Sequence, residues 1–312
     1  MEHAKDTPSM SLLGLLKSMV AATRPRQWTK NMIIYFAFFF TINQRWDPQD
    51  LNAVGTLFGK ATLAFLLFSL LSGATYIVND IFDIERDRQH PKKRLRPLAS
   101  GRLSLPVAWG TALALILAAL TFAFLLEPLF GIVSVIYLTI MVIYNLALKR
   151  MIILDVLTIS AGFVLRAVAG AVVIQVPISP WLYICTGLGA LLIALGKRRN
   201  ELAMAGDNPG SQRDTLDEYT PRFLDQLISV VAPATLVAYI LYTFTADNLP
   251  SNYAMMLTIP FVVYGLFRYL YLVHKKNMGE NPEDILLTDV PLIIDILLWL
   301  SMAAFILLVF RA

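Results

Sequence analysis

Apolar residues gather in long runs separated by short polar stretches, near 31–43, 57–79, 105–125, 129–147, 153–174, 181–196, 224–246, 253–273 and 291–310. A helix needs about 20 mainly apolar residues to cross a bilayer, so the shorter runs must draw on their flanks. The pattern predicts an all-α polytopic membrane protein of about nine spanning helices. Ahead of them, residues 10–23 (MSLLGLLKSMVAAT) predict a short amphipathic helix lying on the bilayer surface. Residues 1–25 therefore read as an interfacial N-terminal segment of a single domain, 1–312.

Composition sharpens this only slightly. At 57% hydrophobic and 15% charged, the 312-residue chain is outside the range of soluble domains. One cysteine, Cys185, excludes an intrachain disulfide. The opening residues lack the compact apolar core of a cleaved signal, and no appended soluble domain or nucleic-acid partner is expected. Charge distribution is more telling. All but four of the 26 lysines and arginines (Arg45, Lys60, Arg166 and Arg311) fall at the N-terminus or in alternate loops. By the positive-inside rule those loops and the N-terminus are cytoplasmic, in a multi-pass cell (inner) membrane protein. The opposite loops are nearly neutral, which argues against a lipid-phosphate carrier, since transport needs polar groups at both faces.

The densest chemistry runs from Asn79 to Ser100, NDIFDIERDRQHPKKRLRPLAS, at the exit of the second apolar run. At about 100° per residue Asp80, Asp83 and Asp87 share a helical face, and Asn79, Asp83 and Asp87 form an i, i+4, i+8 line. An orienting loop needs lysine and arginine; it does not need three aspartates leaving the hydrocarbon, where acids are costly. Hard oxygen ligands at this spacing suit Mg²⁺, with Mn²⁺ as a substitute, bound jointly by carboxylates and substrate phosphates. Lys92, Lys93, Arg94 and Arg96 follow and are placed to hold the same phosphates. The stretch predicts a metal–diphosphate site at the membrane surface.

Other groups lie on the same face. GKRRNEL (196–202) offers Lys197, Arg198 and Glu201, with a helix-end ion pair as the rival explanation. Asp155 and Arg166, eleven residues apart, share a stripe of the fifth run; a mid-span arginine is either a site residue or a structural pair with another helix. Tyr144 and Lys149 close the fourth run, and Arg26 and Lys30 precede the first. The last cytoplasmic loop carries Glu280, Glu283, Asp284 and Asp289, candidates for a second metal contact or a clamp on basic groups.

The Asn79-Asp80-x-x-Asp83-x-x-x-Asp87 pattern on the second helix, with the basic loop behind it, resembles the first aspartate motif of the UbiA superfamily of membrane prenyltransferases. RPRQWTKN (24–31), GFVLRAVAGA (162–171), GKRRNEL and GENPEDILLTD (279–289) extend the resemblance over nearly the whole chain. It is strongest to the branch that moves ribose 5-phosphate from phosphoribosyl diphosphate (PRPP) onto a polyprenyl (decaprenyl) phosphate, which feeds cell-wall arabinan precursors. The resemblance implies a UbiA-like bundle with Asn79, Asp80, Asp83 and Asp87 around Mg²⁺. The substrates would meet Arg26, Lys30, Lys92, Lys93, Arg94, Arg96, Tyr144, Lys149, Arg166, Lys197, Arg198 and Glu201. A homo-oligomer is compatible with it. Aromatic prenyltransferases of this fold carry a second DxxxD motif near helices six and seven. Here that region has Lys197, Arg198 and Glu201, then Asp214 and Asp217, and extra cations suit a donor with an additional phosphate. The alternative within the superfamily is a prenyl diphosphate donor with an aromatic or glycerol-phosphate acceptor.

Overall fold

The computed structural model describes residues 11–43, 45–177, 180–204, 214–247, 249–275, 285 and 288–310. Among them the chain is helical, with one isolated β-bridge between Ile42 and Trp46. Eleven α-helices follow in order: α1 (Leu12–Ala22), α2 (Phe36–Phe40), α3 (Leu51–Phe82), α4 (Ile84–Gln89), α5 (Leu105–Leu126), α6 (Pro128–Leu146), α7 (Leu154–Val173), α8 (Pro180–Met204), α9 (Pro221–Thr245), α10 (Ile259–Lys275) and α11 (Val290–Val309). Among the described residues seven stretches are long and apolar enough to cross a membrane: α3, α5, α6, α7, α9, the segment Ala254–Lys275 containing α10, and α11. The 25 residues of α8 extend about 37 Å at 1.5 Å per residue, long enough as well.

The first apolar run is built differently from the expected span. Residues Pro25–Tyr35 form an eleven-residue 3₁₀ stretch, followed by the five-residue α2. A 3₁₀ run this long is unusual, and buried polar contacts anchor it. Asn31 donates to Ser69 Oγ at 2.9 Å and Ser72 Oγ at 3.3 Å on α3. On the other side, a Cβ on Gly170 of α7 would collide with the backbone of Ile34, so only glycine admits this approach. Nine crossings are reached only by counting this segment and α8 with the seven.

The helices pack in sequence, α3 on α5, α5 on α6, α6 on α7, α7 on α8 and α8 on α9, with α10 against α11. In lipid there is no hydrophobic drive between helices, so small residues that allow close contact mark the seams. The buried positions of α5 are Ala108, Thr111, Ala112, Ala119 and Ala123; Ala119 and Ala123 share a core with Ala61, Ala64 and Phe68 of α3, and Ala108 and Ala112 share another with Ile77, Val78 and Ile81. Leu113, Leu117, Phe122 and Leu125 on the opposite side are exposed, as a lipid-facing surface requires. One core joins α3, α5, α6 and α7; another joins α8, α9, α10 and α11. Outside these, α1 keeps Ser18 and Ala22 buried while Leu12, Leu13, Leu16 and Val20 stay exposed, the two faces expected of an interfacial helix.

Candidate active site

The acidic stretch does not continue as one helix. α3 ends at Phe82, Asp83 caps it with φ −100° and ψ 9°, and α4 begins at Ile84. This joint separates the acids into two directions. Asp80 and Asp87, both buried, turn to a common guanidinium: Arg96 Nη1 donates to Asp80 Oδ1 at 3.1 Å and to Asp87 Oδ2 at 2.5 Å. Arg24 also donates to Asp80 Oδ1, from a left-handed backbone (φ 52°) and with its guanidinium 5.1 Å from the Tyr76 ring centre. Asp83, partly exposed, instead takes Lys149 Nζ on Oδ1 at 2.7 Å.

Lys93, half-buried, stands within electrostatic reach of Asp87 and Arg96 on one side and of Lys197 and Glu201 at the end of α8 on the other. Burial pushes its ammonium below the ordinary lysine range, and Arg96 and Lys197 push the same way against Asp87 and Glu201. The loop after α4 and the end of α8 therefore form one continuous belt of charge. Within it Arg198, 1% exposed, donates from Nε to Asp155 Oδ2 at 2.9 Å and from Nη1 to Glu201. Tyr144 lies within electrostatic reach of the same guanidinium.

Asp155 and Arg166 share a stripe of α7, yet they face different partners. Asp155 serves Arg198. Arg166, 5% exposed, donates to Asn31 Oδ1 at 2.7 Å, Gly162 O at 2.8 Å and Tyr137 Oη at 2.9 Å, with its guanidinium 4.9 Å from the Tyr137 ring centre. Those bonds join α7 to the 3₁₀ stretch and α6, which is the structural alternative for a mid-span arginine. Arg26, Lys92 and Arg94 are exposed at the rim; Lys30 and Asn79 are half-buried. Asp289 takes both Arg268 Nε (3.1 Å) and Nη2 (2.8 Å), which holds its carboxyl below the usual range. Glu280, Glu283 and Asp284 lie outside the described residues.

Sequence reasoning did not assign Arg24 or Tyr219 to the site. Ile153 adopts φ 69° and ψ −47°, a conformation hostile to a β-branched residue. The Tyr219 hydroxyl accepts its N–H at 2.9 Å and donates to Asp155 Oδ1 at 2.8 Å. One buried hydroxyl thus ties the turn four residues after Lys149 to the carboxylate that orients Arg198. Burial raises the Tyr219 phenol above its ordinary range, so it stays a donor. Tyr219→Phe is expected to destabilise the protein by about 1–3 kcal/mol, the cost of an unsatisfied buried donor. Thermal denaturation of the purified protein reads this; an unchanged midpoint refutes the brace.

Among the described residues no three acidic, histidine or cysteine side chains converge into a ready metal cage. The physical reason is visible: each aspartate is drawn to a cation. These hydrogen bonds engage a single oxygen of each, Oδ1 of Asp80, Oδ1 of Asp83 and Oδ2 of Asp87. A carboxylate offers about four lone-pair sites over two oxygens, so coordinating capacity remains. This donor set fits a hard divalent ion held jointly by a few carboxylates and substrate phosphates, rather than by protein alone.

Comparison with known proteins agrees with this fold. The family model described as the UbiA prenyltransferase family matches residues 31–285. Decaprenyl-phosphate phosphoribosyltransferase of Mycobacterium tuberculosis is 32% identical, over 96% of this chain and 97% of that protein. The protein of the same name from Corynebacterium glutamicum is 31% identical, over 92% of this chain and 85% of its own length. Among solved structures, a UbiA homolog from Archaeoglobus fulgidus bound to GPP and Mg²⁺ superposes with a TM-score of 0.70 at 17% identity, covering 93% of this chain and 99% of that one. Matched along most of its length by the family and nearly end to end by curated relatives, the chain belongs to the UbiA prenyltransferase family.

Proposed function

We propose that this membrane enzyme transfers a 5-phosphoribosyl group from PRPP to a polyprenyl phosphate at the cytoplasmic face of the cell membrane, releasing pyrophosphate. The observation that carries the reading is the belt in which Asp80, Asp83 and Asp87 alternate with Arg24, Arg96, Lys149 and Lys93 and run on to Lys197, Arg198 and Glu201. Both substrates are phosphate-rich anions, and such a belt offers cations to phosphates on both sides of the acids. Relatives named decaprenyl-phosphate phosphoribosyltransferase, aligned over almost the full length, support the same chemistry. The A. fulgidus neighbour, bound to GPP and Mg²⁺, supports use of a divalent ion.

In this reading Asn79, Asp80, Asp83 and Asp87 hold Mg²⁺, which when bound supplies positive charge to the diphosphate. Lys93, Arg96 and Lys149, which face the acids, take up diphosphate oxygens as the C1–O bond to the leaving pyrophosphate breaks. Charge stabilisation of this kind is usually the largest contribution to such a transfer. Lys197 and Arg198 hold a further phosphate at the far end. A bond forms between ribose C1 and an oxygen of the lipid phosphate, which is already anionic and needs no strong base. The polyprenyl tail stays among the apolar helices.

Pyrophosphate release by the purified protein tests this. With PRPP and decaprenyl phosphate it should require both substrates and fall at least ~100-fold in EDTA, with recovery on adding Mg²⁺ or Mn²⁺. Release from a prenyl diphosphate with an aromatic or glycerol-phosphate acceptor, and none from PRPP, would overturn the assignment.

A further inference from the structure

The second half of the bundle holds a carboxylate that the transfer reaction does not use. Asp295 lies on α11, 8% exposed, and lines a cavity of about 290 Å³ between α8, α9, α10 and α11. Its walls are Leu192, Ile193, Phe261, Leu266, Ile296 and Trp299 with their neighbours. The Thr235 hydroxyl is spent on Val231 O at 2.8 Å and Tyr269 leans on Ile193 O at 3.4 Å. Asp295 makes no hydrogen bond or ion pair with any described residue. Arg268, one turn along α10 from Gly265, is held by both oxygens of Asp289 and does not serve it. The carboxyl is nonetheless given room: a Cβ on Gly265 would come within 2.8 Å of Asp295 Oδ2.

An unpaired acid in apolar surroundings is costly and marks a functional position by default. We propose that this cavity binds a membrane lipid with a primary ammonium head, the head meeting Asp295 and the chain running along the apolar walls. Three observations select that class. The carboxyl is the one polar group of the cavity left without a partner among the described residues, so charge complementarity calls for a cation that donates hydrogen bonds. Asp295 is the sixth residue of α11, roughly 8 Å along its axis from the end where Asp289 pairs with Arg268. Trp299, one turn further in, marks the deeper end, and 290 Å³ accommodates roughly ten methylene-sized groups. The reaction's own substrates do not fit, because a phosphate beside Asp295 meets like charge. The site is therefore separate from the belt, and it does not depend on which donor the belt uses.

Thermal unfolding of the purified full chain in non-ionic detergent, titrated with dodecylammonium, dodecanol or dodecyl phosphate, tests this. Dodecylammonium alone should raise the midpoint, and Asp295→Asn should weaken its apparent Kd at least ~10-fold. Gly265→Ala, which sets a methyl group against the carboxyl, should weaken it similarly. Pyrophosphate release by Asp295→Asn should stay within about twofold of the unmodified protein. Equal stabilisation by the alcohol, equal binding in Asp295→Asn, or no shift with any probe overturns the proposal. So does loss of transfer in Asp295→Asn, which would join the cavity to the reaction site.

Discussion

Asp87→Asn and Asp83→Asn are each expected to lower phosphoribosyl transfer at least ~100-fold while leaving the protein folded, in line with losses seen when a transition-state charge contact is removed. The two positions fail for related reasons. Asp87 shares Arg96 with Asp80, so the guanidinium fixes where both carboxylates stand. Asparagine keeps the shape and still offers Arg96 an oxygen, but it removes the charge that a divalent ion needs. Asp83 stands at the joint between α3 and α4 and is partly exposed, so the charge its neutralisation leaves buried is the ammonium of Lys149, 8% exposed. Lys149 then loses its partner and is free to neutralise substrate phosphate without positioning it. Pyrophosphate release, read beside the thermal midpoint and elution profile in detergent, separates chemistry from folding. Turnover within about threefold of normal in either variant would remove these acids from the metal site.

Much of this arrangement was legible in the sequence, and the exceptions have physical causes. Spans such as 105–125 and 291–310 were readable because twenty apolar residues in lipid have few alternatives to a helix. The run 31–43 was too short for that rule, and its fate was decided by Asn31, whose partners lie about forty residues away on α3. The acids and cations of the belt were visible as residue types at helical spacing. Their pairing was not, because periodicity gives the face of a residue and not its neighbour. Asp155 shows this: it shares a stripe with Arg166 but reaches Arg198 and Tyr219, residues contributed by α8 and by the chain just before α9. Arg24 was hidden for a similar reason, since its reach to Asp80 depends on a left-handed backbone before Pro25. Asp295 stood unremarked in an apolar run, and only the packing of α8 to α11 gives it a cavity.

Two buried arginines should respond to the same substitution in different ways. Arg198→Met strands the fully buried Asp155 without its charge partner and should cost about 3–5 kcal/mol of stability, the usual result of breaking one side of a buried pair. It also removes one contact of Glu201 and, on the role proposed for Arg198, a phosphate-binding cation, so KM for PRPP should rise at least ~10-fold in the protein that remains folded. Arg166→Met breaks a brace whose partners are neutral: Asn31, Gly162 and Tyr137. Three bonds from a charged donor are lost, yet no buried acid is left unpaired and the side chain still fills the space. A smaller loss of about 1–3 kcal/mol is expected, with KM for PRPP within about twofold of normal. Denaturation midpoints and substrate-saturation curves, taken on both variants in one detergent, distinguish the roles. A tenfold rise in KM for Arg166→Met at near-normal stability would move Arg166 into the substrate site and dissolve the division between brace and belt.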